Sequence, residues 1–318
     1  MPQRRPSLAL VLSLLASATV ASPASAQRPL PPGAEAISLL GDTLRALPLA
    51  PDVRDRYERQ LAEARADLER NPASADATIW VGRRLAYLGR HREAIDVFTR
   101  GIERFPEDAR FLRHRGHRWI TVRELDRAVE DLERATRLVA GKPDAVEPDG
   151  QPNAQNRPIG TLHSNIAYHL GLAYYLKGDF ARAIPIYERE LRAASNDDRR
   201  VSTAHWLYMS LRRLGREREA AAVLEPISTR MEIVENDAYH RLLLLYKGAL
   251  PVDSILPSSS GEMSVTDATT AYGVANWHLY EGRTDEAMRL FQRIHSAGQW
   301  GAFGAIAAEA ELARSNRR

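Results

Sequence analysis

Two groups of side chains in this sequence could do chemistry. His114 and His117 are three residues apart, so on a helix they share one face, and a histidine pair of this kind can ligate zinc. No acidic residue lies at helical spacing beside them to act as a third ligand. Ordinary histidines of the surface or of a groove are therefore favoured over a zinc-binding pair. Asp144, Glu147 and Asp149 bring three carboxylates into one turn-rich stretch. Their spacing is not that of a calcium loop, and a solvated turn is the favoured interpretation.

The sequence contains none of the common catalytic motifs. There is no Gly-rich phosphate loop, no His-Glu-x-x-His and no Gly-x-Ser-x-Gly. With no cysteine in the chain, disulfides, thiolate metal sites and attachment of lipid to a cysteine are also excluded. We therefore predict a non-enzymatic protein with no catalytic residue, no cofactor and no resident metal.

Any functional site must be positioned by structural elements, and in this chain these elements recur. The phrase Leu-Gly-Arg-His-Arg-Glu-Ala at residues 88–94 returns as Leu-Gly-Arg-Glu-Arg-Glu-Ala at 214–220, and more loosely at 281–287. In each copy a Gly precedes the Glu-Ala pair by four residues, and an aromatic residue or Leu follows the Ala by four. Such self-similarity is the signature of a stacked repeat protein.

The phrase resembles the tetratricopeptide repeat, a helix-turn-helix of about 34 residues with small side chains where its two helices cross and large ones around them. A copy that starts at Ala75 fits this pattern with Gly82, Leu85, Gly89, Ala94, Phe98, Gly101 and Pro106. A second copy from Ala109 is in the same register, because Ala128 follows Ala94 by one repeat length.

The resemblance implies an all-α fold, a right-handed superhelical solenoid of stacked helix-turn-helix repeats over residues 51–318. Six copies are expected, of which the fifth is degenerate, near 75–108, 109–140, 164–197, 201–233, 234–261 and 268–300. Residues 141–163 form a turn-rich insertion after the second copy. We expect a capping helix over 52–71, a closing helix over 301–313 at the open end of the stack, and a linker or short helix within 27–50.

The first 26 residues are typical of a secretory signal peptide. Arg4 and Arg5 precede an apolar run over 8–21, and small residues at 24–26 suit cleavage. An uncleaved anchoring helix is disfavoured because the run is short and ends in Ala-Ser-Ala. We predict a periplasmic or secreted protein that does not stay inserted in a membrane once the signal is removed.

Charge argues against a nucleic-acid partner. The full chain carries a net charge of +3, and removing the two arginines of the signal leaves 42 basic against 41 acidic residues, a net charge of +1. A nearly balanced chain lacks the basic footprint that nucleic acid requires.

The resemblance also implies a partner groove, because certain positions of each first helix face the concave side in the tetratricopeptide repeat. Carried over residue by residue, they give Arg83, Tyr87, Arg110, Arg113, His117, Asn165, Tyr168, Tyr175, His205, Arg212, Tyr272 and Asn276. Arginine and tyrosine are frequent in binding sites, and their recurrence in successive copies favours binding over a merely solvated face. The carboxylate clamp of co-chaperone members is not expected, because Ile79 and Arg83 replace its Lys and Asn.

These patterns support two hypotheses. The first is a non-enzymatic protein-binding scaffold or assembly factor of the cell envelope that holds a protein or peptide segment in the concave groove. The alternative is a small-ligand or metal-binding site formed where the 141–163 insertion folds over the groove histidines, His117, His163, His169 and His205. Self-assembly through an uncapped end is a third possibility.

Overall fold

The computed structural model describes residues 29–256 and 263–316, and over these ranges it has an all-α repeat architecture, as predicted. The described part contains thirteen α-helices: α1 Pro51–Arg70, α2 Ala75–Tyr87, α3 His91–Arg104, α4 Ala109–Thr121, α5 Leu125–Val139, α6 Leu162–Lys177, α7 Phe180–Ala193, α8 Asp197–Arg213, α9 Glu217–Leu224, α10 Asp237–Tyr246, α11 Val265–Tyr280, α12 Thr284–Ser296 and α13 Phe303–Ser315. The predicted signal peptide lies outside the described residues. Within them, no helix is both long and apolar enough to cross a bilayer.

Consecutive helices pack in antiparallel pairs, and each pair stacks on the next. Five pairs are complete: α2–α3, α4–α5, α6–α7, α8–α9 and α11–α12. In the degenerate fifth copy α10 is followed by only a short 3-10 helix, Val252–Ser254. Helix α1 packs on α2 as the predicted capping helix.

Small residues bring the two helices of a pair together. A β-carbon placed on Gly82 of α2 would lie 2.4 Å from the Phe98 ring of α3, and one on Gly171 of α6 would lie 2.5 Å from the Tyr187 ring of α7. Only a residue without a side chain leaves room for these rings. The repeated glycine and aromatic positions of the sequence are therefore the two halves of one contact.

The turn inside each pair needs a left-handed backbone, and one copy supplies it without glycine. Gly89, Gly178, Gly215 and Gly282 all have φ between 69° and 81° at this turn. In the second copy the same place is taken by Arg123, with φ 67°. A left-handed conformation costs a residue with a β-carbon about 1–2 kcal/mol, so Arg123 must be held there by its side chain.

The N-terminal segment differs from the sequence-based expectation. Where the sequence predicted a linker or short helix within 27–50, the structure has a small antiparallel hairpin of two strands, β1 Ala36–Ile37 and β2 Thr43–Leu44. Pro31, Pro32 and Pro48 restrict helix formation on both sides, and Gly41 turns the chain with φ 98°. The hairpin is fixed to α3, because the Glu35 carboxylate accepts a hydrogen bond from the backbone N–H of Arg92.

Helix α13 is a closing helix, but it does more than cover the end of the stack. Every residue from Gly304 to Ala313 is buried, whereas a terminal cap leaves one face in water. The helix packs on α11 and α12 and reaches back to α6, where Arg314 donates to the carbonyl of Leu176 at 2.8 Å. The C-terminal helix is thus enclosed by earlier repeats.

One buried ion pair joins these distant parts. Arg123 donates two hydrogen bonds to Glu309 of α13, from Nε to Oε1 at 3.0 Å and from Nη2 to Oε2 at 2.7 Å. The same carboxylate accepts from the backbone N–H of Leu39 in the hairpin at 2.6 Å. Arg123 also donates to the carbonyl of Trp300, and the Trp300 indole donates to the carbonyl of Arg45. The N-terminal hairpin, the second repeat and the C-terminal helix therefore meet at one point.

We predict that Arg123→Ala lowers the free energy of unfolding by about 3–5 kcal/mol, because it leaves the buried Glu309 carboxylate without its cation. The matched control is Arg90→Ala, which removes an exposed ion pair with Glu93, three residues along α3, and should change stability by less than about 1 kcal/mol. Urea denaturation of both variants measures the difference. Equal losses would show that the Arg123–Glu309 pair does not hold the ends of the chain.

Candidate functional site

The 141–163 insertion is an ordered loop whose two ends pair with each other. The backbone N–H of Glu147 donates to the carbonyl of Gly160 at 3.1 Å, and that of Leu162 donates to the carbonyl of Ala145 at 2.9 Å. An isolated antiparallel bridge, Val146 to Thr161, lies between these bonds. This pairing gives the insertion a defined base next to the start of α6.

The insertion spans from the first repeat to the fifth. On one side Arg83 and Arg84 of α2 donate to the carbonyls of Pro148 and Gly150, at 2.9 Å and 3.0 Å. On the other side the insertion contacts the segment before α10, through Asn153 to Glu235 at 3.0 Å and Arg157 to Glu232 at 2.8 Å. Contacts at both ends place the loop across the first helices of the intervening repeats.

Glu147 fixes the insertion from the inside. Its side chain is 8% exposed and forms an ion pair with Arg113 at 3.0 Å. The same carboxylate contacts His114 Nε2 at 3.2 Å and accepts from the Asn165 amide at 2.8 Å. One of the three carboxylates of the insertion is therefore part of a buried network with α4 and α6, and not of a solvated turn.

A cavity of about 280 Å³ lies beneath the insertion. Its walls come from α2, α4, α6, α7, α8 and the start of α10, and they are rich in charged and hydroxyl groups. The lining residues are Arg83, Arg113, Glu147, Pro148, Asp149, Ile159, Gly160, Ser164, Asn165, Tyr168, His169, Glu190, Arg199, Ser202, Thr203, Glu235, Asn236 and Tyr239. We call this space the insertion cavity.

Some of the predicted groove residues meet at this cavity. Arg83, Arg113, Asn165 and Tyr168 line it. Tyr168 shares a hydrogen bond of 2.7 Å with Tyr239, and its hydroxyl accepts from the Trp206 indole at 3.1 Å. Tyr87 and His117 line a neighbouring cavity of about 130 Å³, which Arg83 and Arg113 also line.

Four of the predicted groove residues do not face open space, which corrects the expectation of a free concave surface. Tyr175, His205, Tyr272 and Asn276 are each at most 1% exposed. Tyr175 and Tyr272 share a hydrogen bond of 2.6 Å, and Asn276 accepts from Arg213, the ion-pair partner of Glu311 on α13. The rings of Tyr239 and Tyr246 stack near His205, with centroids 4.8 Å and 5.9 Å away. The chain's own α10 and α13 occupy this part of the groove.

The remaining two predicted groove residues have partners at the surface of the stack. Arg110 pairs with Asp108 and Asp76, and Arg212 pairs with Glu281 at 2.7 Å. That any of the twelve residues contacts a partner stays a prediction.

The structure brings together only two of the four histidines that the alternative hypothesis grouped. The rings of His117 and His169 are 4.4 Å apart, beside Phe303 of α13. His205 lies instead between Tyr239 and Tyr246, and the backbone of His163 donates to Asp144 at the base of the insertion. Over residues 29–256 and 263–316, no group of three or more His, Asp or Glu side chains is arranged to hold a metal ion. The geometry therefore does not support the alternative hypothesis in the form of a metal-binding site at the groove histidines.

Burial keeps these histidines uncharged. Desolvation lowers the pKa of His114, His117 and His169 well below the usual value, and positive charge nearby lowers it further: Arg113 for His114 and His169, and Arg118 for His117. Burial likewise lowers the pKa of His91 and His205 to about 3. Because the His169 Nδ1 lies 2.6 Å from the carbonyl of Asn165, which can only accept, Nδ1 carries the proton and Nε2 does not.

The sequence-based groove missed several residues that line the two cavities. Arg199 and Glu190 form a buried ion pair, Arg118 lines the smaller cavity, and Tyr239 comes from the degenerate fifth copy. One signal for Arg118 was available, because α4 contains four arginines and two histidines but no acidic residue. The others depend on how the insertion and α10 fold over the stack, which their spacing does not reveal.

The comparisons with known proteins agree with the repeat architecture. Residues 81–143 and 160–198 match the family model of the tetratricopeptide repeat. The match covers about a third of the chain. Proteins built from such repeats are generally non-catalytic scaffolds for protein–protein interaction.

Similar proteins include members of large assemblies and small repeat proteins. The chain is 26% identical over 141 residues to the BBSome complex member BBS4 of Bos taurus, a match that covers 44% of this chain and 23% of BBS4. It thus spans about a quarter of that relative's length. YrrB, a tetratricopeptide repeat protein with an unusual peptide-binding site, is 14% identical with a TM-score of 0.41, covering 74% of this chain and 91% of YrrB. A tetratricopeptide repeat protein from Parabacteroides merdae is 14% identical with a TM-score of 0.49, covering 80% and 94%.

We predict that Glu147→Ala loosens the insertion and destabilises the protein by about 3–5 kcal/mol, because Arg113 becomes a buried cation without a partner. Hydrogen–deuterium exchange should become faster at residues 141–163. The control is Glu232→Ala, which removes the exposed pair with Arg157 and should cost about 0–1 kcal/mol. If exchange of the insertion were unchanged in Glu147→Ala, Glu147 would not be what fixes it.

We also predict that acid destabilises the protein through its buried histidines. A histidine whose folded pKa is lowered contributes stability that is complete above its unfolded pKa, about 6.5, and is lost as pH falls through that value towards the folded pKa. For His91 and His205 the window runs from about 6.5 down to about 3. Each such histidine adds up to about 1.4 kcal/mol per pH unit within its window. Urea denaturation between pH 7.5 and 5 measures the slope; a flat profile, or one unchanged by His205→Gln, would contradict the prediction.

Proposed function

We propose that this protein is an exported, non-enzymatic interaction scaffold of the cell envelope that holds a segment of a partner protein in the insertion cavity. The observation that carries the proposal is the insertion itself, which is fixed across the concave face at both ends and leaves a polar cavity beneath it. Export rests on the signal-like residues 1–26 of the sequence.

The chemistry of the cavity suits a polar polypeptide segment. Ser202 and Thr203 line the cavity with hydroxyls, while Arg83 and Asp149 line it with charges of both signs. Tyr239 adds an aromatic face of the kind that dominates protein-binding sites. Groups of this kind hydrogen-bond to backbone and side chains alike, whereas an apolar groove would select a hydrophobic helix.

A small polar ligand is the second candidate, and the size of the cavity favours it. At about 280 Å³ the insertion cavity lies near the lower end of the range typical of small-molecule sites. A ligand of that size would need no open groove, which agrees with the burial of Tyr175, His205, Tyr272 and Asn276.

The two candidates are separated by filling the cavity. Ser202→Tyr places a ring in the insertion cavity, and Ser296→Tyr places the same ring on an exposed part of α12 as the control. Crosslinking and capture from envelope extract, with the mature chain as bait, should recover a partner with wild type and with Ser296→Tyr but at least tenfold less with Ser202→Tyr. Circular dichroism melts confirm that both variants are folded.

Equal capture by all three proteins would place the interaction outside the insertion cavity. If no protein is captured, the partner hypothesis fails, and native mass spectrometry of the mature chain then tests for a bound small molecule that Ser202→Tyr excludes.

A further inference from the structure

The smaller cavity beside the insertion cavity is strongly basic. It has a volume of about 130 Å³ and is lined by three arginines, two histidines, Tyr87, Ala86 and Phe98. The arginines are Arg83, Arg113 and Arg118, and no carboxylate is among the lining residues. We call this space the arginine cavity. It adjoins the insertion cavity, because Arg83 and Arg113 line both.

In the part of the chain that the structure describes, the other arginines of α4 have ion-pair partners and Arg118 has none. Arg110 pairs with Asp108, Arg113 with Glu147, and Arg115 with Asp131. Within the described residues, no hydrogen bond or ion pair to the Arg118 guanidinium is found, and this partly buried residue lines the arginine cavity. Burial, together with repulsion from Arg113 and Arg83, lowers the pKa of Arg118 to about 10.

The surrounding groups do not balance this charge. Glu147 is already used by Arg113, His114 and Asn165. Among the described residues, Arg83 donates to the uncharged carbonyl of Pro148 and stacks on the Trp80 ring, and the Asp149 carboxylate attracts it without forming an ion pair. The histidines of the cavity, His114 and His117, stay neutral, so they add no positive charge, but they offer no negative charge either.

In the protein alone, the Arg118 guanidinium is repelled by Arg113 and Arg83. Removing a charged group from water is costly unless an opposite charge and hydrogen bonds replace the water. A planar guanidinium presents paired N–H donors that match the oxygens of a carboxylate or phosphate. A cavity that is lined by three guanidinium groups and by no carboxylate is therefore suited to an anion.

We propose that the arginine cavity is a binding site for a single oxyanion, a carboxylate or phosphate group, which Arg118 and Arg83 hold and to which the Tyr87 hydroxyl donates. The space is sufficient, since 130 Å³ is several times the share of one water molecule, about 30 Å³. The inference rests on the proposed function in one respect: it names the chemical group that a partner segment or ligand in the insertion cavity would place in the adjoining arginine cavity.

The test uses the purified mature chain and simple anions. Thermal unfolding is followed while inorganic phosphate, or acetate, replaces chloride at constant ionic strength and at pH 7.5. The variant is Arg118→Gln, and the matched control is Arg137→Gln, which changes an exposed arginine of α5. Phosphate also stabilises proteins by exclusion from their surface, but this effect is common to all three proteins and cancels in the comparison.

We expect wild type and Arg137→Gln to show a saturable rise in melting temperature with one of the anions. In Arg118→Gln the apparent affinity should fall at least tenfold, because a charge-assisted contact is lost. In chloride alone, Arg118→Gln should melt at or above the wild-type temperature, since the substitution removes the repulsion of Arg118 by Arg113 and Arg83. If Arg118 only stabilised the fold, Arg118→Gln would instead lower the melting temperature in chloride.

The anion that saturates the site identifies its source. A response to phosphate but not acetate points to a phosphorylated ligand, and a response to acetate points to a side-chain or terminal carboxylate. Identical responses of wild type and Arg118→Gln, or a lower melting temperature of Arg118→Gln in chloride, would overturn the proposal. Anion binding without partner capture would leave this site standing and refute only the proposed scaffold function.

Discussion

The closed arrangement of this chain depends on the buried pair between Arg123 and Glu309. Both side chains are at most 3% exposed, and together they join the turn of the second repeat to a helix 186 residues further on. Burying both charges costs desolvation energy. Two hydrogen bonds within the pair, and one from the backbone N–H of Leu39 to Glu309, offset that cost. Arg123 has a left-handed backbone at the turn position where the five other copies have glycine.

This constraint changes which surface the repeats leave exposed. An open solenoid offers its concave face to a partner, but here α13 lies among the earlier repeats and the insertion covers the first helices. The groove is therefore divided into buried contacts such as Tyr175 with Tyr272 and two cavities near α4. Recognition through these cavities would depend on a few charged groups, whereas an open groove would offer a long contact surface.

Electrostatics on α4 links the stability of the fold to the site. The helix has no acidic residue of its own, so its charge is balanced by Asp131 on α5 and by Glu147 from the insertion. The neighbouring histidines stay neutral because they are buried beside arginines. An anion at Arg118 would reduce the positive field that adds to burial in lowering the pKa of these histidines.

The helices, their pairing and the small-residue contacts followed from the sequence alone. Gly82 and Phe98, or Gly171 and Tyr187, are separated by a fixed number of residues, and local helical geometry turns that spacing into a contact. The capping helix and the degenerate fifth copy were predicted on the same local basis, since proline and the loss of apolar periodicity act within a few residues.

Only the tertiary structure decided where the insertion, the N-terminal hairpin and α13 lie. From the sequence, Glu147 was predicted to be one of three solvated carboxylates. Its neighbours in the sequence do not reveal that Arg113 and His114, which belong to another repeat, contact it in the fold. Arg123 stands at the turn position where other copies have glycine, and its partner lies 186 residues away. A repeat pattern in the sequence predicts contacts between adjacent helices. An ion pair between residues that are 186 positions apart depends instead on the summed curvature of all the repeats between them, and no local spacing encodes that curvature.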